Sequence, residues 1–197
     1  MSVTINASTS SGLVQSADTS GQIELQSNGT TKLSVLSTGV SGTLIQGTAV
    51  ASTSGTSIDF TSIPSWAKKI TVMFNGVSGS GTSPFQIQLG DSGGIETTGY
   101  VSSAWSAATS YQTGVTSGFV LNGATAAVAV YHGNIIISLQ NTNTWVSSHS
   151  LGASGGTYSC LGGGSKTLTN TLTQLRITTV NGTDTFDAGS INIQYEG

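Results

Sequence analysis

Along much of this chain, apolar and polar residues alternate with a period of two. Lys69-Ile-Thr-Val-Met-Phe-Asn75 sets Ile70, Val72 and Phe74 on one face of an extended segment. Phe85, Ile87 and Leu89 alternate with Gln86 and Gln88; Leu175 and Ile177 alternate with Gln174, Arg176 and Thr178. Ile191, Ile193 and Tyr195 alternate with Asn192 and Gln194. This is the pattern of antiparallel strands with one face on a core and one toward water. Gly118-Phe-Val-Leu121, Ala127-Val-Ala-Val-Tyr131 and Asn134-Ile-Ile-Ile-Ser-Leu139 are more continuously apolar and read as central strands, with His132-Gly133 as a hairpin turn joining the last two. Further turn signals stand at Asn75-Gly76, Asn122-Gly123 and Asn181-Gly182. No stretch shows a period of 3.6, and Ser62–Lys69 has room for one helical turn at most.

About nine short strands joined by Gly- and Asn-rich turns predict an all-β fold, an antiparallel β-sandwich or jelly roll. Stretches 76–84, 90–117 and 147–170, rich in Gly, Ser and Thr, read as loops; the last two exceed ordinary loop length and so suggest function or subunit contact. Residues 40–56 read as a linker leading into an edge strand.

The first 43 residues look different. Gln22-Ile-Glu-Leu-Gln26 and Lys32-Leu-Ser-Val35 are short alternating runs, and Asn28-Gly29 between them favours a type I′ hairpin turn. Asp18-Thr-Ser-Gly21 is a second turn. The apolar set Leu13, Val14, Ile23, Leu25, Leu33, Val35 and Leu36 is too small to bury itself, and an isolated hairpin is marginal in water. Two parts follow: an N-terminal β-hairpin attachment or oligomerisation segment over 1–43, and a β-sandwich domain over 44–197. The seven apolar residues are the candidate oligomer or particle interface.

Composition narrows the function. The 197 residues hold only 5 Lys and Arg and 8 Asp and Glu, whereas Ser, Thr and Gly number 32, 30 and 27. A typical soluble domain is about a quarter charged. So few acids, bases and metal ligands argue against an enzyme, and no cofactor is expected. A net charge of −3 offers no basic face for phosphates, which excludes nucleic acid as a partner. No window is apolar enough to insert in a membrane, and the N-terminus lacks a signal peptide, so synthesis in a cytoplasm is expected. Without export, the sequons at Asn6, Asn28 and Asn181 carry no meaning.

Individual residues yield little catalytic chemistry. Cys160 stands alone and reads as a small buried apolar side chain. His132 and His149 read as exposed loop histidines. Asp184-Thr-Phe-Asp187 has loose calcium-loop spacing without the further ligands, so an Asp-stabilised turn is the better reading. Nothing selects a carboxylate pair, and Gly162–Gly164 lacks the Lys of a phosphate loop. Trp105, Tyr111, Trp145 and Tyr158 fall in polar segments; they are candidate glycan contacts, although large aromatics equally fill cores and interfaces. Trp66 reads as a core anchor.

Three stretches carry a family likeness. Residues 17–40, Ala-Asp-Thr-Ser-Gly-Gln-Ile-Glu-Leu-Gln-Ser-Asn-Gly-Thr-Thr-Lys-Leu-Ser-Val-Leu-Ser-Thr-Gly-Val, resemble N-terminal segments of tailed-bacteriophage fibre-like proteins. Residues 60–77, Phe-Thr-Ser-Ile-Pro-Ser-Trp-Ala-Lys-Lys-Ile-Thr-Val-Met-Phe-Asn-Gly-Val, and the closing segment from Arg176 to Glu196 are similar to a β module of phage virion proteins. The resemblance implies a protein of the virion surface, a homotrimer, whose partners are other tail or capsid proteins and host-surface glycan. It brings no catalytic residues. A tail fibre or short spike is the first expectation, a head decoration protein that stabilises the capsid lattice the second, and a glycan-degrading enzyme a remote third.

Overall fold

The structure is a computed structural model that describes residues 23–27, 30–36, 39–41, 44–107, 111–123, 127–156 and 158–197. The described strands fall into two compact units, one within Met1–Thr43 and one over Leu44–Gly197. Among the described residues there is no helix, so none crosses a membrane as a helix.

The first unit is a three-stranded antiparallel meander of β1 (Ile23–Ser27), β2 (Thr30–Leu36) and β3 (Gly39–Ser41). Register pairs Ile23 with Val35, Leu25 with Leu33 and Ser27 with Thr30. The turn residues Asn28 and Gly29 lie outside the described residues, as do Leu13, Val14 and the Asp18–Gly21 turn.

The second unit is a sandwich of two antiparallel sheets. The larger holds β4 (Leu44–Gln46), β5 (Val50–Ala51), β7 (Lys69–Gly79), β10 (Tyr100–Ser106), β11 (Tyr111–Val115), β13 (Val130–Asn141), β14 (Thr144–Ser154), β15 (Tyr158–Thr167) and β17 (Phe186–Glu196). Its order is β11-β10-β15-β14-β13-β7-β17-β4, and β5 also pairs with β17. The smaller sheet runs β12 (Phe119–Val120), β8 (Phe85–Asp91), β16 (Gln174–Thr179), β6 (Ser57–Phe60), with β9 (Gly94–Ile95) alongside β8. Across the sandwich the pairings nest: β4 and β5 with β17, β6 with β16, β7 with β13, β8 with β12. β14, β15, β10 and β11 extend the larger sheet beyond these pairs.

The expected apolar rows form the core. Ile70, Val72, Phe74, Ile87, Leu89, Leu175, Ile177, Ile191 and Ile193 are all buried between the sheets. Each fully buried aliphatic side chain contributes about 1.5–3 kcal/mol relative to exposure. Phe85 stacks on Phe186 at 5.4 Å between ring centroids and meets Tyr131 edge-on at 5.7 Å.

Several expectations are corrected. Stretches 90–117 and 147–170 are not loops but hold β9, β10 and β11, and most of β14 with all of β15. His132 and Gly133 lie inside β13, so the two strands expected around them are one. Asn75-Gly76 is a bulge within β7, with Gly76 at φ 71°, where register shifts against both neighbouring strands. Residues 40–56 are not a linker, because β4 and β5 pair with β17. β12 is an edge strand, and the β10–β15 side of the larger sheet buries it. Gln86 and Gln88 are buried too: Ser117 donates to Gln86 Oε1 at 2.8 Å, and Gln88 Nε2 donates to the Ser117 carbonyl at 3.0 Å.

Candidate functional site

Alternation along β10, β14 and β15 sorts side chains cleanly. One set faces the core; the other builds the outer surface of the larger sheet. Register lines up Trp105, Leu161, Ser150 and Asn134 in one outer row. Ser103, Gly163, Ser148 and Ile136 form the next, and Val101, Ser165, Val146 and Ser138 a third. Val101 is 73% exposed and Leu161 48%, with Val146 and Ile136 close to 40%. The only Lys, Arg, Asp or Glu in β10, β13, β14 and β15 is Lys166, and it is buried. The outer face is thus free of formal charge and made of aliphatic side chains set among Ser and Gly. Ser165 stands between Val101 and Val146, so the aliphatic side chains are spread over a neutral Ser- and Gly-rich face.

Beneath that face lies a layer of polar groups that does no chemistry with solvent. His149 is buried, and its Nε2 lies 2.8 Å from the Leu121 carbonyl, so this nitrogen carries the proton. Burial pushes the imidazole pKa down to about 4, against a smaller upward pull from that hydrogen bond. Among the described residues the buried Nδ1 of His149, Ser147 Oγ and Trp145 Nε1 have no hydrogen-bond partner. Burial raises the Cys160 thiol to about 11, which leaves it protonated and unreactive. The expectation of a buried Cys160 holds; that of an exposed His149 does not.

Neither a family model, nor a curated protein, nor a solved structure matches this chain. The site must therefore be read from its own geometry.

Two carboxylate clusters remain to be weighed as sites of chemistry. Asp91 and Glu96 line one pocket with Thr169 and Asn170. Asp91 Oδ1 accepts from the Gly93 N–H at 2.7 Å and Oδ2 from the Asn170 N–H at 2.8 Å, which together hold its pKa low. Burial pushes Glu96 upward, but the Lys166 ammonium at 2.5 Å and the Thr169 N–H outweigh it and leave the pKa lowered. Lys166 also sits 5.3 Å from the centre of the Tyr100 ring. A glycosidase needs one carboxyl held protonated as its acid, and both of these are pulled the other way. The pair ties the β8–β10 connection to β15.

The Asp184 cluster is a turn, as its sequence implies. Asn181 Oδ1 accepts from the Thr183 and Asp184 N–H groups, and its Nδ2 donates to Asp184 Oδ1 at 2.7 Å. Asp184 Oδ2 accepts from the Ser83 N–H at 3.0 Å, while Asp187 takes the Ser78 hydroxyl. Among the described residues no three His, Cys, Asp or Glu side chains gather as a metal site requires.

His132 is exposed, though in a strand. Its Nδ1 accepts from the Gly76 N–H at 3.2 Å, so Nε2 holds the proton and faces Ser154 Oγ at 3.3 Å. A protonated Nε2 cannot take the hydroxyl's proton, so Ser154 is not an activated nucleophile.

The four aromatic candidates do not form one platform. Trp105 lies on the outer face, half-buried beside Leu161. Trp145 is buried in the core, and Tyr158 faces inward, its hydroxyl 3.0 Å from that of Tyr131. The Tyr111 side chain lies outside what is described, as do those of Ile23, Leu33, Val35 and Leu36. Leu25, of the first unit's apolar set, is 46% exposed. Trp66 is not a core anchor: it is 43% exposed and tilts against Tyr195 at 5.7 Å. Sequence reasoning missed the outer face because Val101, Val146 and Leu161 are scattered singly among Ser and Gly. Only strand register assembles them.

Proposed function

We propose that this chain is a structural, non-enzymatic protein of a tailed-bacteriophage particle, a homotrimeric short fibre or spike. Residues 1–43 join it to the particle, and the sandwich projects to meet the host surface. The observation that carries the reading is the charge-free outer face of β10, β14 and β15, a surface suited to fixed subunit contact. The nested strand pairings support the jelly-roll winding expected from sequence. The lowered carboxylates, the inert thiol and the tied histidines favour scaffolding over catalysis.

A second reading, a decoration protein clamped to the capsid lattice, gains from one observation. The stretches expected to be long loops for function or subunit contact are strands, and Trp145 and Tyr158, two of the four expected glycan contacts, point inward. Labelling the protein on intact particles and imaging the label separates the two. Label at the tail is the expected result for a fibre, and label over the head lattice transfers the function to capsid stabilisation. Absence from the particle overturns both.

A further inference from the structure

The outer face of the smaller sheet carries buried amides where a solvated strand face would leave them in water. Register sets Gln88, Arg176 and Asp59 in one row across β8, β16 and β6, and Gln86, Thr178 and Ser57 in the next. Gln86 and Gln88 alternate with the core residues Ile87 and Leu89, yet they are only 2% and 6% exposed. Ser117, just ahead of β12, and the turn at 180–182 help to wall a groove of about 340 Å³ over these rows. Sites for small molecules span about 300–1,000 Å³.

Both amides are held in place. Gln86 Nε2 donates to the Thr179 carbonyl at 3.3 Å, and its Oε1 accepts from the Ser117 hydroxyl at 2.8 Å. A Cβ on Gly118 would lie 2.7 Å from that oxygen, so glycine there leaves it room. Gln88 Nε2 donates to the Ser117 carbonyl at 3.0 Å; the reverse orientation would set two oxygens against each other. Gln88 Oε1 is therefore the free end of the amide. It has no partner among the described residues, and it is not sealed in the interior. An acceptor so nearly buried costs free energy unless something in the groove donates to it. Its neighbour in register, Arg176, holds the Asp59 carboxylate through Nε and Nη2, both at 2.7 Å. The N–H groups of Arg176 Nη1 have no partner among the described residues.

We infer that this groove binds a neutral saccharide, with one hydroxyl donating to Gln88 Oε1 and a neighbouring one accepting from Arg176 Nη1. This rests on the host contact proposed above and names the surface that makes it. A sugar hydroxyl both donates and accepts, so adjacent hydroxyls satisfy an open acceptor and an open donor side by side. Asp59 matches the charge of Arg176, which leaves an acidic sugar or a phosphate no net positive charge to meet. An apolar ligand finds Val180 as the one large aliphatic side chain in the lining. Amides already fixed by Ser117 lose little freedom when a ligand arrives. Repetition of the groove over the copies in a spike turns weak single contacts into firm attachment.

The test titrates the full chain, labelled with ¹⁵N, with glucose, galactose and N-acetylglucosamine, and with N-acetylneuraminic acid as an acidic comparison. The neutral sugars should shift the side-chain signals of Gln88 and Arg176, with a dissociation constant of about 1 mM for the best of them. Arg176→Gln, at a side chain 36% exposed, should keep its melting temperature and bind about tenfold more weakly. Gln88→Met fills the same space without an acceptor and should bind more weakly still. Unchanged affinity in Arg176→Gln overturns the inference, as does tighter binding of the acidic sugar. Shifts that map to Trp105 or elsewhere, and survive both substitutions, put the saccharide outside the groove while host contact stands. A Ser/Thr-rich peptide that shifts the Gln88 and Arg176 signals where the sugars do not makes the ligand an extended chain and overturns the saccharide. If no sugar shifts any signal, the groove reading fails; the spike reading is decided separately, by whether label on the particle falls at the tail.

Discussion

His149 shows how far one residue's position can depart from its local sequence. The Ser-rich run around it looks like a loop, yet strand alternation turns the ring into the core, where it stays neutral. Its folded pKa, about 4, lies below the ordinary value of 6.5. Between those values the unfolded chain binds a proton that the folded one refuses. Stability therefore falls as pH drops from about 6.5 toward 4, by about 3 kcal/mol at full extent. Urea midpoints measured from pH 7 to 4 should decline for the native protein and flatten for His149→Gln. Lys166 is the counterpart case of a buried charge that is paired. Lys166→Met leaves Glu96 without its cation and should cost about 3 kcal/mol, whereas adding Glu96→Gln should recover much of that loss in chemical denaturation. Gly162 has a steric role, since a Cβ there would lie 2.6 Å from the Ser103 carbonyl and against the His149 ring. Gly162→Ala should lower stability by about 1–3 kcal/mol, and a phosphate loop has no part in the effect.

Among elements, those with contrast between apolar and polar positions were legible in advance. β7, β8, β16 and β17 announce themselves through Ile, Val, Leu and Phe at alternate positions, and their core rows fall where that alternation puts them. β14 and β15 did not. Ser147, Cys160, Gly162 and Gly164 face inward where a large apolar side chain would have revealed the strand; a Cβ at Gly162 or Gly164 would lie 2.6 or 2.5 Å from the Ser103 or Val101 carbonyl of β10. Asn-Gly pairs were read alike and behave differently. Asn181-Gly182 is a turn, Gly182 having φ 69°. At Asn122-Gly123 the Asn122 side chain is buried and bridges the Phe85 N–H at 2.8 Å to the Tyr131 hydroxyl at 3.1 Å. Asn122→Ala leaves both groups buried without that partner and should cost about 1–3 kcal/mol, more than Asn181→Ala at the exposed turn, as thermal melts of the two variants would show.

For the whole molecule, the boundary between units sets a third kind of expectation. β4 and β5 lie after Thr43 and pair with β17, so residues 44–197 keep every strand of the sandwich. That fragment should melt cooperatively within a few degrees of the full chain. A fragment beginning at Ser52 strips β4 and β5 from β17 and exposes the flank of Ile191 and Ile193; it should melt lower or aggregate in the same calorimetric scan. By itself the sequence determined the fold class and the principal core rows, since period-two patterning and turn residues act over a few neighbouring positions. It also determined the scarcity of ionisable groups. Tertiary structure decided which strands are neighbours, that Ser- and Gly-rich segments are strands, and that His149 and Trp145 are inside while Trp66 is out. It alone assembled Val101, Val146, Leu161 and Ile136 into one surface. Those outcomes depend on pairing between residues far apart in the chain, and a local pattern carries no information about its partner.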